Sequence, residues 1–264
     1  MPQMASSRIT LTALLLLLFA GCSREQQSAK NTAAENSNAP EVPLTAADLD
    51  RFLAVVQQHS EAMIPEFTPP DEDESLDMEA PAEKLVESYR GEVRRLFDAA
   101  RQGAIWERDR QWSQALVSQK FSAEKFAALV RKVSLAIMRV RLDARVDVDR
   151  LVVEARKQVD KTMRLLDEID AVPADDRTAE SIELRAKLAE RLGKAVALLE
   201  FAEMVRKTHP DSAAVVRKYS QKLKALLPPH ANDELLAELK ELATPRTGKA
   251  QQAVYDEPEQ DDER

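Results

Sequence analysis

Glycine is almost missing from this chain, with five in 264 residues. So few positions of free backbone rotation leave little room for the tight connections a sheet needs. What remains is dominated by Ala, Leu, Glu, Lys, Arg and Gln, which favour helix. The constraint is tightest between Phe121 and Pro173, where neither glycine nor proline occurs. There Phe126, Val130, Val133, Ile137, Val140, Ala144, Val148, Leu151, Ala155, Val159, Met163, Leu166 and Ile169 follow one another at helical spacing. An unbroken helix over 123–171 would be about 75 Å long at ~1.5 Å per residue. Inside it, Val140, Leu142, Ala144, Val146 and Val148 alternate with charged residues, which is the period of a strand. A strand with no partner elsewhere in the chain is unstable. The expectation is therefore a continuous or kinked helix, with any joint between Asp143 and Asp149.

Other helices follow from start and stop signals. Thr45 with Asp48 three residues on forms a capping box, and Leu44 with Leu49 a hydrophobic staple. Leu49, Phe52, Leu53, Val56 and Met63 share a face, so the first helix is expected to run to Ile64, before Pro65. Residues 65–80 are expected to form a solvated acidic loop, rich in Asp and Glu but without the central glycine of a calcium loop. A second helix is expected over 81–102 with Gly103 as its C-cap, and a third over 105–118 with Ile105, Trp112 and Leu116 inward and Trp106 at the edge. Ser122 caps the long stretch and Phe121 can meet Phe126. Thr178 caps a helix lined by Ile182, Leu188, Leu192, Ala195, Leu199 and Val205, which His209-Pro210 stops. Asp211 or Ser212 would cap the next, carrying Val215, Tyr219, Leu223 and Leu226, and Asn232 a last one. The expected fold class is all-α: an elongated multi-helix bundle over 44–243 with one long central helix, as one core or as two helical subdomains meeting inside that helix. A polar N-terminal spacer (22–43) and an acidic C-terminal tail (244–264) are expected to be disordered.

The N-terminus carries a leader. Arg8 precedes an apolar run over 9–20, about the length of a signal-peptide h-region and short of the roughly 20 residues that span a bilayer. Ala20, Gly21 and Cys22 follow. This stretch resembles the lipobox of bacterial lipoproteins, with Phe19 where that pattern usually has leucine. The resemblance implies cleavage after Gly21 and acylation of Cys22, with two or three acyl chains giving stable membrane anchoring. It also implies, through Ser23 rather than aspartate after the cysteine, sorting to the outer membrane, facing the periplasm. An ordinary secretory leader followed by an unrelated cysteine is the competing reading. Cys22 is the single cysteine, so no internal disulfide can form and packing must hold the fold.

Nothing in the rest of the chain spells out a reaction. His59, His209 and His230 lack the paired spacing of a zinc helix. The scattered glycines make no phosphate loop, and no serine sits in a nucleophile elbow. No catalytic residue, metal ligand or cofactor is assigned. The chain carries 38 basic and 46 acidic residues, which argues against a general nucleic-acid binder. Against that acidity, residues 131–164 hold ten basic and five acidic residues, and residues 206–224 are a second basic segment. Arg139, Arg141, Arg145, Arg150, Arg156 and Lys157 are the candidate surface for an anionic partner, weighed against simple pairing with neighbouring acids. The leading expectation is a non-enzymatic envelope lipoprotein, held on the membrane through Cys22, whose helices bind or scaffold another envelope protein. The alternative is a periplasmic ligand-binding or chaperone-like helical protein with an apolar or anionic ligand. No feature fixes an oligomeric state.

Overall fold

The computed structural model describes residues 42–70, 76–144 and 146–227. The leader, Cys22, the spacer, Arg145, the helix expected after Asn232 and the acidic tail lie outside the described residues. The described part is all-α. Its helices are α1 (Ala46–Val56), α2 (Ala82–Leu96), α3 (Ala99–Arg108), α4 (Arg110–Ser118), α5 (Ala123–Asp143), α6 (Val148–Asp170), α7 (Ala179–Lys207), α8 (Pro210–Lys218) and α9 (Ser220–Lys224), with a 3-10 turn at Ala174–Asp176.

Three starts are set by caps legible in the sequence. The Thr45 hydroxyl accepts from Asp48 N, and the Asp48 carboxylate takes Thr45 N–H at 2.9 Å. Ser122 and Thr178 accept from Lys125 N and Ser181 N. Other boundaries differ from expectation. Helix α1 stops at Val56, eight residues early. Its end tightens through Gln58 N→Val55 O and His59 N→Val56 O, Ala62 takes a φ of 48°, and Ile64 N–H then donates to Leu226 O across the molecule. The helix expected over 81–102 breaks at Phe97, because the Asp98 carboxylate caps a new helix by accepting from Arg101 N at 2.6 Å. A second break follows at Asp109, whose carboxylate accepts from Gln111 N and Trp112 N. These breaks turn Trp106 inward to 5 % exposure, with its ring 6.5 Å from that of Trp112, so it is a core residue and not an edge one.

The long central stretch is jointed. Helix α5 ends at Asp143 and α6 begins at Val148, with Asp147 as the cap of α6. The strand-like alternation marks this joint. Leu142, Val146 and Val148 are all buried in one core, across a turn where helical spacing no longer holds. Among the described residues the longest continuous helix is α7, with 29 residues.

Two hydrophobic cores meet along α5 and α2. One gathers the first half of α2, the end of α5, and α6 and α7, including Tyr89, Leu142, Leu151, Leu166 and Leu192. The other gathers α1, the second half of α2, α3, α4, the start of α5 and parts of α8 and α9, around Phe52, Phe67, Phe97, Trp106, Trp112 and Phe126. Chain closure is direct: Leu44 N–H donates to the buried Ser212 Oγ at 2.9 Å, bringing the first described segment onto α8.

Gly91 tests the helical reading of α2. It sits inside the helix, and a Cβ there would meet nothing within 4 Å. Gly91→Ala is expected to stabilise the protein by up to about 1 kcal/mol, from helix propensity alone. Urea unfolding checks this; a loss of stability would mean that α2 is not helical at that position.

Candidate functional site

The residues 65–80 are anchored at both described flanks. Phe67 is buried. Gln102, with no exposure, donates to Thr68 O and Leu96 O at 2.8 Å and accepts from Thr68 N at 3.0 Å. Arg101 donates to Thr68 O and Pro69 O. The second flank is held by Arg185, which is 2 % exposed. Its guanidinium forks onto Asp170, with Nε–Oδ1 at 2.6 Å and Nη2–Oδ2 at 3.0 Å. The remaining N–H groups go to the carbonyls of Met78, Glu79 and Ala80. Arg177 reaches the same Asp170 carboxylate at 3.1 Å. The hydrogen bond from Arg185 holds the Asp170 carboxyl below its ordinary range, and the burial that opposes this is the smaller effect. Arg185 was not singled out from the sequence. Its signal is position: it stands three residues after Ile182 and three before Leu188, in an apolar slot of the α7 stripe. Ile182 itself is 51 % exposed, so the stripe turns inward at Arg185.

Next to this clamp, Tyr89 donates to Ala189 O at 3.0 Å, and burial followed by Glu92 and Glu190 pushes its phenol well up. The residue is thus a neutral donor between α2 and α7.

The candidate anionic-partner residues do not gather into one surface. Arg139 lies one turn before the end of α5, paired with Asp143 at 2.9 Å and donating to Arg206 O. Arg141 lies on the same helix, half-buried and engaged. Arg150 opens α6. Arg156 pairs with Glu203 of α7, and Lys157 with Glu154, each at 2.9 Å. Three of the six are thus neutralised by local acids, with modest stabilisation per pair. The joint between α5 and α6 frames a hollow of about 550 Å³. Two of its three acids are engaged: Asp143 with Arg139 and Arg217, and Asp147 with the first amides of α6.

The second basic segment behaves differently. Arg206, Lys207, Arg217, Lys218, Lys222 and Lys224 are all exposed, with Asp211 the one acid among residues 206–224. Arg217 meets Asp143 at 3.5 Å, and Lys222 lies 5.6 Å over the Tyr219 ring.

The described histidines serve structure. His59 stacks on Trp112 at 4.2 Å, and His209, rather than Asp211 or Ser212, caps α8 by accepting from Asp211 N. Among the described residues no group of three or more His, Cys, Asp or Glu is placed to hold a metal ion, and no helix is long and apolar enough to cross a membrane. The chain matches no family model, no curated protein and no solved structure. Two features stand out: the basic α8–α9 surface, and the far end of the α6–α7 hairpin, where Val172, Ile182 and Leu184 are about half exposed.

Proposed function

We propose that this is a lipid-anchored envelope protein without a catalytic role, whose helical bundle presents a binding or scaffolding surface to another envelope protein. The observation that carries the reading is the polarity of the molecule along α7. The entry of the N-terminal segment, at Leu44 on Ser212, lies near the Lys207 end of that helix. The exposed Val172, Ile182 and Leu184 lie at the opposite end, with Ile182 and Leu184 about 35 Å from Lys207 along the helix at ~1.5 Å per residue. A chain tethered through Cys22 would hold one end close to the membrane and offer the other to a partner in the outer-membrane periplasmic space. Exposed aliphatic side chains at the tip of a two-helix projection suit a protein partner, which can bury them.

The alternative, a ligand-binding or chaperone-like protein, has one observation in its favour. A hollow of about 330 Å³ beside Gly103 is lined by Leu116, Phe121 and the 74 % exposed Val117. It is open and small for a client, and the larger apolar side chains are gathered into the two cores.

Two measurements test the leading reading. Cys22→Ala is expected to release the protein from the membrane fraction or to leave an uncleaved precursor; a processed, still membrane-bound variant would refute the anchor. A photo-crosslinking residue at position 182 in the native envelope is expected to capture one defined envelope protein. Capture of none, with the same residue at position 117 trapping an apolar ligand instead, would transfer the function to the hollow beside Gly103.

A further inference from the structure

We propose that the outer face of α8–α9, with the last turn of α7, is a docking surface for anionic lipid headgroups. This rests on the reading of Cys22 as a membrane anchor and specifies which face the anchored bundle turns to the bilayer.

Three observations converge on that face. The first is charge. Six exposed basic side chains against one acid stand out from a chain with a net charge of −8. Four of them, Arg206, Lys207, Lys218 and Lys224, have no ion pair among the described residues, whereas Arg139, Arg156 and Lys157 on α5 and α6 do. A neutralised set has little to offer an anion, while an unpaired set attracts one and orients the molecule. The second is shape. Ser212, Ala213, Val216, Leu223 and Leu226 face inward, which leaves the basic side chains as a ridge on the outer side of two short helices. A ridge of point charges suits a plane of headgroups, each basic group adding roughly fivefold to the affinity near an anionic surface. The third is tether geometry. The described chain begins at Val42, whose carbonyl takes the Lys132 ammonium at 3.3 Å, and Leu44 N–H is fixed to Ser212 of α8. The residues between Cys22 and Val42 can span at most ~70 Å and enter the bundle on α8 itself. An anchored chain would thus bring its lipid-linked end and its unpaired cations to the same side.

The test uses the full chain as cells process it, purified in detergent. The protein is reconstituted into vesicles of phosphatidylcholine, alone or mixed with phosphatidylglycerol, and its exposed lysines are labelled with a membrane-impermeant acylating reagent. On the anionic vesicles Lys207, Lys218, Lys222 and Lys224 should lose labelling several-fold relative to the neutral ones. Lys187, exposed towards the far end of α7, should label equally in both. High salt, with a screening length of about 3 Å at 1 M, should restore labelling. Equal labelling of the four lysines on both vesicle types overturns the proposal, as does protection shared by Lys187. Protection already present in detergent overturns it too, and would assign the face to an acidic protein segment such as residues 256–263 of this chain. Failure of the protein to float with neutral vesicles counts against the Cys22 anchor. The phosphatidylglycerol arm still tests the ridge in that case.

Discussion

Asp170→Ala is expected to destabilise the protein by about 3–5 kcal/mol, the cost of leaving a buried charge without its partner. The Arg185 guanidinium cannot reach water from its position, and its five N–H groups are divided between Asp170 and the carbonyls of Met78, Glu79 and Ala80. Removing the carboxylate leaves the cation with the carbonyl dipoles and the more exposed Glu79 carboxylate at 3.5 Å. Removing the cation as well, in Asp170→Ala/Arg185→Met, should recover part of the loss, since an uncharged thioether packs in place of the guanidinium. The recovery should be incomplete, because the three carbonyls lose their donors. A loss below about 1 kcal/mol for Asp170→Ala in urea unfolding would mean that the carbonyls and Glu79 suffice and the Asp170 carboxylate is incidental. The same contact sets an acid limit. Asp170 titrates below its ordinary 3.8 in the folded protein, so its contribution is complete above that value and is lost as pH falls through the lower folded value. Asp170→Asn should flatten that part of the stability profile, while the wild type keeps its slope.

The second large effect lies at Gly103, where alanine is expected to destabilise by about 1–3 kcal/mol although alanine is the better helix former. A Cβ at this position would stand 2.6 Å from Glu124 N, 2.7 Å from Ala123 C and 2.8 Å from Glu124 Cα. All three are backbone atoms, so no side chain can rotate aside, and α3 must move off the start of α5. Because Phe121, Phe126 and Trp106 meet at this crossing, the shift should also reach the aromatic core. Thermal unfolding of Gly103→Ala beside Gly91→Ala gives opposite signs if this is right. Stabilisation by both would show that α3 and α5 are not in close backbone contact at Gly103.

Gly103 also shows what could be read from the sequence and what could not. A glycine after an apolar run reads as a helix stop, since φ freedom is glycine's commonest use. Here φ is ordinary, and the position is set by a helix 20 residues further on, which no local pattern reveals. The caps at Thr45, Ser122 and Thr178 were legible because a cap is satisfied within three residues of itself. The end of α1 was not, because Ile64 is drawn off by Leu226 and His59 by Trp112. The joint near Asp147 announced itself as a change of hydrophobic period, though its cause became plain only once Val146 and Val148 were seen to enter one core. Arg185 was hidden for the converse reason: charged residues on a helix are read as solvated, and only the approach of residues 78–80 from more than 100 positions away makes this one internal. For the functional surface, the sequence located the basic segments but could not say which of them the fold neutralises.

The bond from Leu44 N to Ser212 Oγ, spanning 168 residues, and that from Ile64 N to Leu226 O have a consequence in time. Helix α1 is the first of the described helices to be made, yet part of the floor it rests on, with Val216, Leu223 and Leu226, comes at the end of the described residues. A chain emerging from a ribosome cannot finish its aromatic core until nearly the whole described bundle has arrived. The α6–α7 hairpin, whose contacts are nearer in sequence, is free to form earlier. During that interval Phe52 and its neighbours await their cover, and that delay is the period in which this protein most needs shelter from association with other unfolded chains.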